Sequence, residues 1–320
     1  MSLTLGQLYA AQDAAVAAIG KPPHLEGRGI VTSIYDKEFA SGWVLLSELA
    51  ALDVKLPVEV WHKAGELSDR QIEIIRSLPL DIDVRLLQEN VTSWAIKPFS
   101  IFRSKFKEVL WIDSDNVPIR DPSFLFEDGE YQEKGSLFWR DVSGADRAKF
   151  WHQTSPVWSI FNVPFNDAEE FDAGQLLINK EKCWQELALT LHFNQNKDLY
   201  WQYVYGDKDT FRLAWQQIAH KRTGKTRQVN YLEDMKTVPY GFMPYGPFHI
   251  GPPNPWGKWG GGSVMQQRDR AGEPLFNHRT IFKFKLEDGA DDSETSNATP
   301  QDARYVEYIR TARRLLSQSQ

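Results

Sequence analysis

The segment VLWIDSDNVPIRDP, Val109 to Pro122, runs an apolar stretch directly into two carboxylates one residue apart. Its first half predicts a buried strand from Glu108 to Ile112, because an uninterrupted apolar run of this length suits a sheet covered on both faces. Asp113 and Asp115 then stand just past the strand's carboxyl end, which is where open α/β sheets receive their ligands.

Upstream, strands and helices alternate. Gly29 to Tyr35 is strand-like, and Glu38 to Leu52 is a helix with Phe39, Trp43, Leu46 and Ala50 on one face. Pro57 to Trp61 reads as a strand, Ser68 to Leu78 as a helix capped by Ser68, and Ile82 to Leu86 as a strand. Ser93 to Phe106 forms the helix that leads into the carboxylate strand. This order predicts an α/β protein with a mostly parallel sheet.

Downstream, Ser136 to Trp139 and Gln175 to Asn179 are further strands, and Lys182 to Asn194 and Asp207 to Ala219 are helical. Between Tyr240 and Gly272 glycine, proline and aromatic residues dominate, so a long loop is expected there, with Trp256 and Trp259 as a cover for ligand. The expected organisation is a helical extension over 1–27, a main domain over 28–286, an acidic linker over 287–302 and a C-terminal helix over 303–320. Within the main domain, 28–120 is the nucleotide-binding half, and 121–286 holds the acceptor half and the closing loop.

The 320 residues carry 37 Lys and Arg against 43 Asp and Glu, a net charge of −6 with no basic cluster, which excludes a nucleic-acid groove. One cysteine precludes an internal disulfide and fits a reducing compartment, and no apolar run is long enough to span a bilayer. A cytoplasmic enzyme is the expectation. Oligomeric state is open.

Paired carboxylates at a strand end suit a hard divalent cation, Mn²⁺ or Mg²⁺, shared with the oxygens of a diphosphate. Asp113-Ser-Asp115-Asn-Val117 also fits the DxDx[TV] string of haloacid dehalogenase-type phosphatases. That motif normally opens its domain, whereas about three strands precede it here. A sugar-binding module without turnover is the third reading, and it needs no metal site.

Three more segments narrow the choice. FDAGQLLINK (Phe171 to Lys180), YGDKDTFR (Tyr205 to Arg212) and GEPLFNHR (Gly272 to Arg279), taken in order with Lys97-Pro98 and WIDSDNVPIRDP, resemble the signatures of glycosyltransferase family 71, the α-mannosyltransferases typified by fungal Golgi enzymes. The resemblance covers about residues 28 to 286. It implies a GT-A fold, meaning a Rossmann-like, mostly parallel sheet with a smaller acceptor-side region. The donor it implies is a nucleotide-sugar, GDP-mannose in the first place and a UDP-sugar as the alternative, transferred to a saccharide acceptor with retention of configuration. Fungal members carry a membrane anchor that this sequence lacks, which leaves a Golgi lumen only for a trimmed catalytic domain.

On this resemblance Asp113, Asp115 and the distant His278 form the metal site. Asp172, Asp207 and Lys208 are the catalytic candidates around the donor sugar. Thr32, Lys97, Asp113, Ser114, Asp115, Gly174, Gln175 and Asp209 are the donor contacts. The residues also allow plainer roles: Asp172 in an Asx-turn before a strand, Asp207 or Asp209 as a helix cap, and His278 as a hydrogen-bonded core residue. Gly174 permits close backbone approach, and Arg212 clamps the loop before its helix.

Overall fold

The computed structural model describes residues 3–91, 93–141, 151–166, 170–223, 238–253, 262–281, 283–287 and 299–318. Two sheets organise them. The larger takes β1 (Glu26–Ser33), β2 (Val58–His62), β3 (Ile82–Leu86), β4 (Phe106–Ile112), β6 (Ser136–Arg140), β7 (Phe171–Asn179) and β8 (Gly241–Phe242) in the order β3-β2-β1-β4-β7-β6-β8. The pairs β3–β2, β2–β1 and β1–β4 are parallel, β7 runs antiparallel to both neighbours, and β8 is parallel to β6. The smaller sheet, β5-β11-β10-β9, joins β5 (Asn116–Pro118), β9 (Phe248–Pro253), β10 (Gly262–Arg268) and β11 (Pro274–His278) by antiparallel pairing.

Among the described residues, seven helices of two turns or more accompany the sheets: α1 (Leu5–Ala18), α2 (Phe39–Ala51), α3 (Asp69–Arg76), α4 (Ile96–Arg103), α5 (Trp184–Gln195), α6 (Lys208–Thr223) and α7 (Asp302–Ser317). One apolar core joins Phe99 and Ile101 of α4 to α5, α6 and the sheet. The other core joins α2 and α3 to the opposite sheet face. Covered on both sides, β4 buries Val109, Leu110, Trp111 and Ile112 to within 1% of full enclosure, as its apolar run requires. The mostly parallel sheet and its crossover helices form the GT-A architecture that the motifs imply.

Several elements differ from the sequence reading, each for a physical reason. Helix α2 is buried all round from Phe39 to Leu49, because α7 covers the face that the sheet does not. Trp43 Nε1 donates to the Tyr308 carbonyl at 2.8 Å across that contact. The helix expected from Ser93 is a 3₁₀ turn, Ser93–Ala95, followed by the two-turn α4, and the chain is extended again by Ser104. Strand β7 begins at Phe171, so Asp172 and Gly174 lie inside a strand rather than in a loop before it.

The largest departure is the 240–272 region, which builds β8, β9 and β10 where no regular element was expected. Its prolines fall where strands tolerate them: Pro252 and Pro253 end β9, an edge strand with no partner required on its outer side. Gly262 sits at a register shift where a Cβ would lie 2.1 Å from the Ile250 carbonyl oxygen, so only glycine allows that approach. Trp256 and Trp259, and most of the acidic stretch over 287–302, fall outside the described residues. Ser68 caps α3 as expected, in a reciprocal capping box with Gln71. Among the described residues no helix is long and apolar enough to cross a membrane.

Candidate active site

The point where the chain first reverses its order across the sheet, between β1 and β4, opens onto a cavity of about 670 Å³. That volume suits a small-molecule ligand. Its floor is set by the turn after β4: Asn116 N–H donates to the Asp113 carbonyl at 2.9 Å, and Asp113 N–H donates to the Gly174 carbonyl of β7 at 2.8 Å. The turn leads at once into β5, which pairs with β11 so that Asn116 faces His278 across the ladder. Backbone pairing therefore carries a histidine from late in the chain to the carboxylates. Arg279 N–H donates to the Asp115 carbonyl at 2.8 Å, and the buried Arg279 guanidinium pairs with Asp302 of α7, bracing the segment from behind.

Asp113, Asp115 and His278 each offer a ligand atom, and these atoms lie within 4.8 Å of one another. His278 Nε2 is 3.3 Å from Asp115 Oδ1, while Nδ1 is 3.1 Å from Asp172 Oδ2. A carboxylate on one imidazole nitrogen fixes the ring so that the other nitrogen faces a metal. Two carboxylates and an oriented imidazole, with room beside them, are a donor set that fits Mn²⁺ or Mg²⁺ and leaves positions for a ligand's oxygens.

The expected residues converge, but not all onto the cavity wall. Lys97, Asp113, Ser114, Asp115, Asp172, Gly174, Asp207, Lys208 and His278 line it. Thr32 does not: it is fully buried in β1, and Ser33, Ile34 and Tyr35 line the cavity in its place. Gln175 is also behind the wall, accepting from Asn116 Nδ2 at 2.6 Å and reaching Asp172 with its own amide. Asp209 is buried away from the cavity, its carboxylate accepting the Tyr205 N–H at 3.1 Å. Arg212 is fully buried with its guanidinium over the Trp151 ring, 4.2 Å from the centroid.

Contacts assign tasks. Asp172 Oδ1 accepts the Gly174 N–H at 3.0 Å, and Oδ2 faces His278 with Gln175 and Gln267 amides at 3.3 Å. Both oxygens are engaged, and Oδ2 holds the His278 ring. Gly174 is required because a Cβ there would collide with the imidazole. Lys97, at the start of α4, places Nζ 3.0 Å from Asp113 Oδ1, 3.5 Å from Asp207 Oδ2 and 2.7 Å from the Ala173 carbonyl. Lys208 pairs with Asp141 at 2.5 Å and Glu170 at 3.5 Å, and not with the acids that flank it in sequence.

Electrostatics follow from these pairs. Burial opposes ionisation of Asp172, but His278, the Gly174 N–H and Lys97 outweigh it and hold the carboxyl down at about 2. Burial likewise opposes the His278 charge, and Asp172 and Asp115 overcome it and raise the imidazole well above its usual value. Asp207 behaves differently: burial pushes it up to about 6 against the pull of Lys97. Its buried Oδ2 has the Lys97 ammonium 3.5 Å away and no closer hydrogen-bond donor.

Six charged cavity residues escaped the sequence reading, Glu38, Lys63, Glu66, Asp141, Glu170 and Lys283. Lys283 Nζ lies 2.8 Å from Asp115 Oδ2 and 3.0 Å from Glu38 Oε1, and Asp141 and Glu170 hold Lys208. No spacing or periodicity marked Lys283, Glu38, Asp141 or Glu170, since each reaches the site through tertiary placement alone.

The family described as "Mannosyltransferase putative" matches residues 27–156 and 162–237. The chain is similar to the α-1,2-mannosyltransferase MNN24 of Candida albicans, at 26% identity over 169 residues, 42% of this chain and 23% of that protein. It is also similar to the α-1,2-mannosyltransferase MNN2 of Saccharomyces cerevisiae, at 24% identity over 237 residues, 59% of this chain and 40% of that one. The chain thus spans well under half the length of these relatives. Among solved structures it is similar to the apo bifunctional glycosyltransferase WbbM, with 17% identity and a TM-score of 0.45, covering 61% of this chain and 38% of that one. With more than half of its residues matched by that family, the chain belongs to the "Mannosyltransferase putative" family.

Proposed function

We propose that the chain transfers a mannosyl group from a nucleotide-sugar, GDP-mannose, to a hydroxyl of a saccharide acceptor, with Asp113, Asp115 and His278 holding Mn²⁺ or Mg²⁺. The observation that carries this reading is the convergence of those three ligand atoms, with the far nitrogen of the imidazole fixed by Asp172. When bound, the cation neutralises the diphosphate and so stabilises it as a leaving group.

The chain's own residues account for the rest. The nucleoside lies over the carboxyl ends of β1 and β2, against Ser33 to Tyr35 and Lys63, at the switch point of the sheet. Lys283, paired with Asp115 and Glu38, stands beside the ligand set as the cation for phosphate oxygens. Asp207, with Lys97 beside it at 3.5 Å, accepts a hydroxyl of the donor sugar, and its negative charge stabilises oxocarbenium character at the anomeric carbon. The acceptor oxygen bonds to that carbon as the carbon–phosphate oxygen bond breaks. The electron pair stays on the β-phosphate, and the departing phosphate oxygen takes the acceptor proton. Attack from the leaving-group side gives retention and needs no separate base.

The phosphatase alternative has little support. Its motif opens a domain, whereas here the carboxylates follow β4 and are completed by a histidine from β11.

The test is incubation of the purified chain with a panel of nucleotide-sugars and saccharides, with Mn²⁺ or with chelator. Donor-dependent release of nucleoside diphosphate, its loss in chelator, and a product retaining the donor's anomeric configuration by NMR are expected. Turnover undiminished in His278→Ala, or phosphate release from monoesters alone, refutes the reading.

A further inference from the structure

The outer rim of the cavity carries two large rings with open faces. Trp94 is 56% exposed and Tyr205 57%, unusual for side chains this apolar. They do not stand singly. Their centroids are 6.1 Å apart with planes 25° from parallel, and Trp201 continues the row behind Trp94 at 6.3 Å and 29°. Both rim rings line the cavity.

The row is held in place from behind. Gly206 has φ +71°, and a Cβ on it would lie 2.7 Å from Trp94 Cε3, so the indole rests on bare backbone that only glycine supplies. Asp209 accepts the Tyr205 N–H and fixes the backbone that presents the phenol. The geometry therefore presents a fixed aromatic cluster directly beside the site rather than a loose pair of side chains.

Its place within the cavity decides what it meets. Trp94 stands three residues before Lys97, and Tyr205 two residues before Asp207, so both rings flank the side of the cavity where those two charged groups meet. The nucleoside belongs to the switch-point crevice between β1 and β4, which is lined by Ser33 to Tyr35 and has its own exposed ring in Tyr35. The surface left for Trp94 and Tyr205 is the approach to the anomeric carbon.

We infer that Trp94 and Tyr205 form the platform on which the acceptor saccharide stacks, with the apolar C–H face of a pyranose against the rings and its hydroxyls toward the carboxylates. This rests on the transferase reading above and specifies the part of the site that takes the second substrate.

The experiment measures steady-state KM values with GDP-mannose as donor and α-linked mannotriose as acceptor. In Trp94→Ala and Tyr205→Ala the acceptor KM rises roughly tenfold, as removal of one aromatic stacking face predicts. Trp94→Phe, which keeps a ring, stays within about threefold on the same grounds. A rise in donor KM instead would assign the rings to the nucleobase and overturn the inference, as would two unchanged KM values. If the wild-type chain releases no nucleoside diphosphate from any donor, the transferase reading falls and the platform is read separately. Saturation-transfer NMR then follows mannotriose on the wild type and Trp94→Ala. A wild-type signal lost in the variant upholds the platform, and equal or absent signals in both refute it.

Discussion

Gly174 and His278 share one volume: a Cβ on Gly174 would sit 2.4 Å from both Cε1 and Nδ1 of the imidazole. The ring occupies the space a side chain would need because it must reach Asp172 on one side and Asp115 on the other. Gly174 has no left-handed φ, so alanine is tolerated by the backbone and only the imidazole must yield. Gly174→Ala is expected to stay folded by circular dichroism and to bind Mn²⁺ roughly 10- to 100-fold more weakly, the usual cost of disturbing a ligand's orientation. Calorimetric titration with Mn²⁺ reads this directly. Unchanged affinity would mean that His278 is not a ligand.

Lys97 is the positive centre between two acids. Replacing it with methionine preserves the stem but leaves Asp113 and Asp207 facing each other without their shared ammonium. Loss of one member of such a buried group costs about 3 kcal/mol, the lower end being appropriate because Asp113 keeps some solvent contact. The urea midpoint of Lys97→Met should fall accordingly, and millimolar Mn²⁺ should recover part of the loss by binding the folded state alone. A midpoint equal to that of the wild type contradicts this account of the site's charge balance.

These residues also mark how far sequence carries. The carboxylate strand and the β-α alternation before it were legible because an apolar run between polar flanks has few other uses. His278 was legible only through the motif around it, since nothing local brings it to Asp115; the β5–β11 ladder does. Asp172 was read as facing the sugar, and its contact with His278 depends on where the imidazole turns and not on the motif. Lys283 carried no signal because its partners Asp115 and Glu38 are far from it in sequence. The second sheet was hidden because glycine and proline usually mark loops, and edge strands and bulges are the places where they do not.

Asp207 illustrates a site that stands against stability. Burial raises its pKa to about 6 from an unfolded value near 3.9. The folded chain therefore binds more protons than the unfolded one between those values. This group's contribution is most favourable below about pH 4 and declines as pH rises through about 6. Asp207→Asn has no proton to lose and should be more stable than the wild type at pH 7, by about 3 kcal/mol at most, with the gain shrinking toward pH 4. Transfer should fall by about 100-fold or more in the same variant. Denaturation at pH 4.5 and 7 beside initial rates checks both halves, and a variant that keeps full turnover removes Asp207 from the chemistry.

Lys180 supplies a pH dependence that is independent of the site. Its ammonium is sealed inside the protein, donating to the carbonyls of Phe102 at 3.0 Å and Ser104 at 2.6 Å, and burial lowers its pKa to about 7. The unfolded value is near 10.4, so between the two the unfolded chain holds a proton that the folded chain has released. Stability due to this group therefore rises as pH increases from about 7 toward 10, the opposite of the trend at Asp207. Lys180→Met cannot titrate. It also leaves two carbonyls without their donor, which costs about 1 to 3 kcal/mol at any pH. Wild-type stability should then rise relative to that of the variant by up to about 1.4 kcal/mol for each pH unit above 7.5. Urea midpoints for both proteins at pH 6.5, 8 and 9.5 measure that gap, and a constant separation would show that the Lys180 amine titrates at its ordinary value in the folded chain.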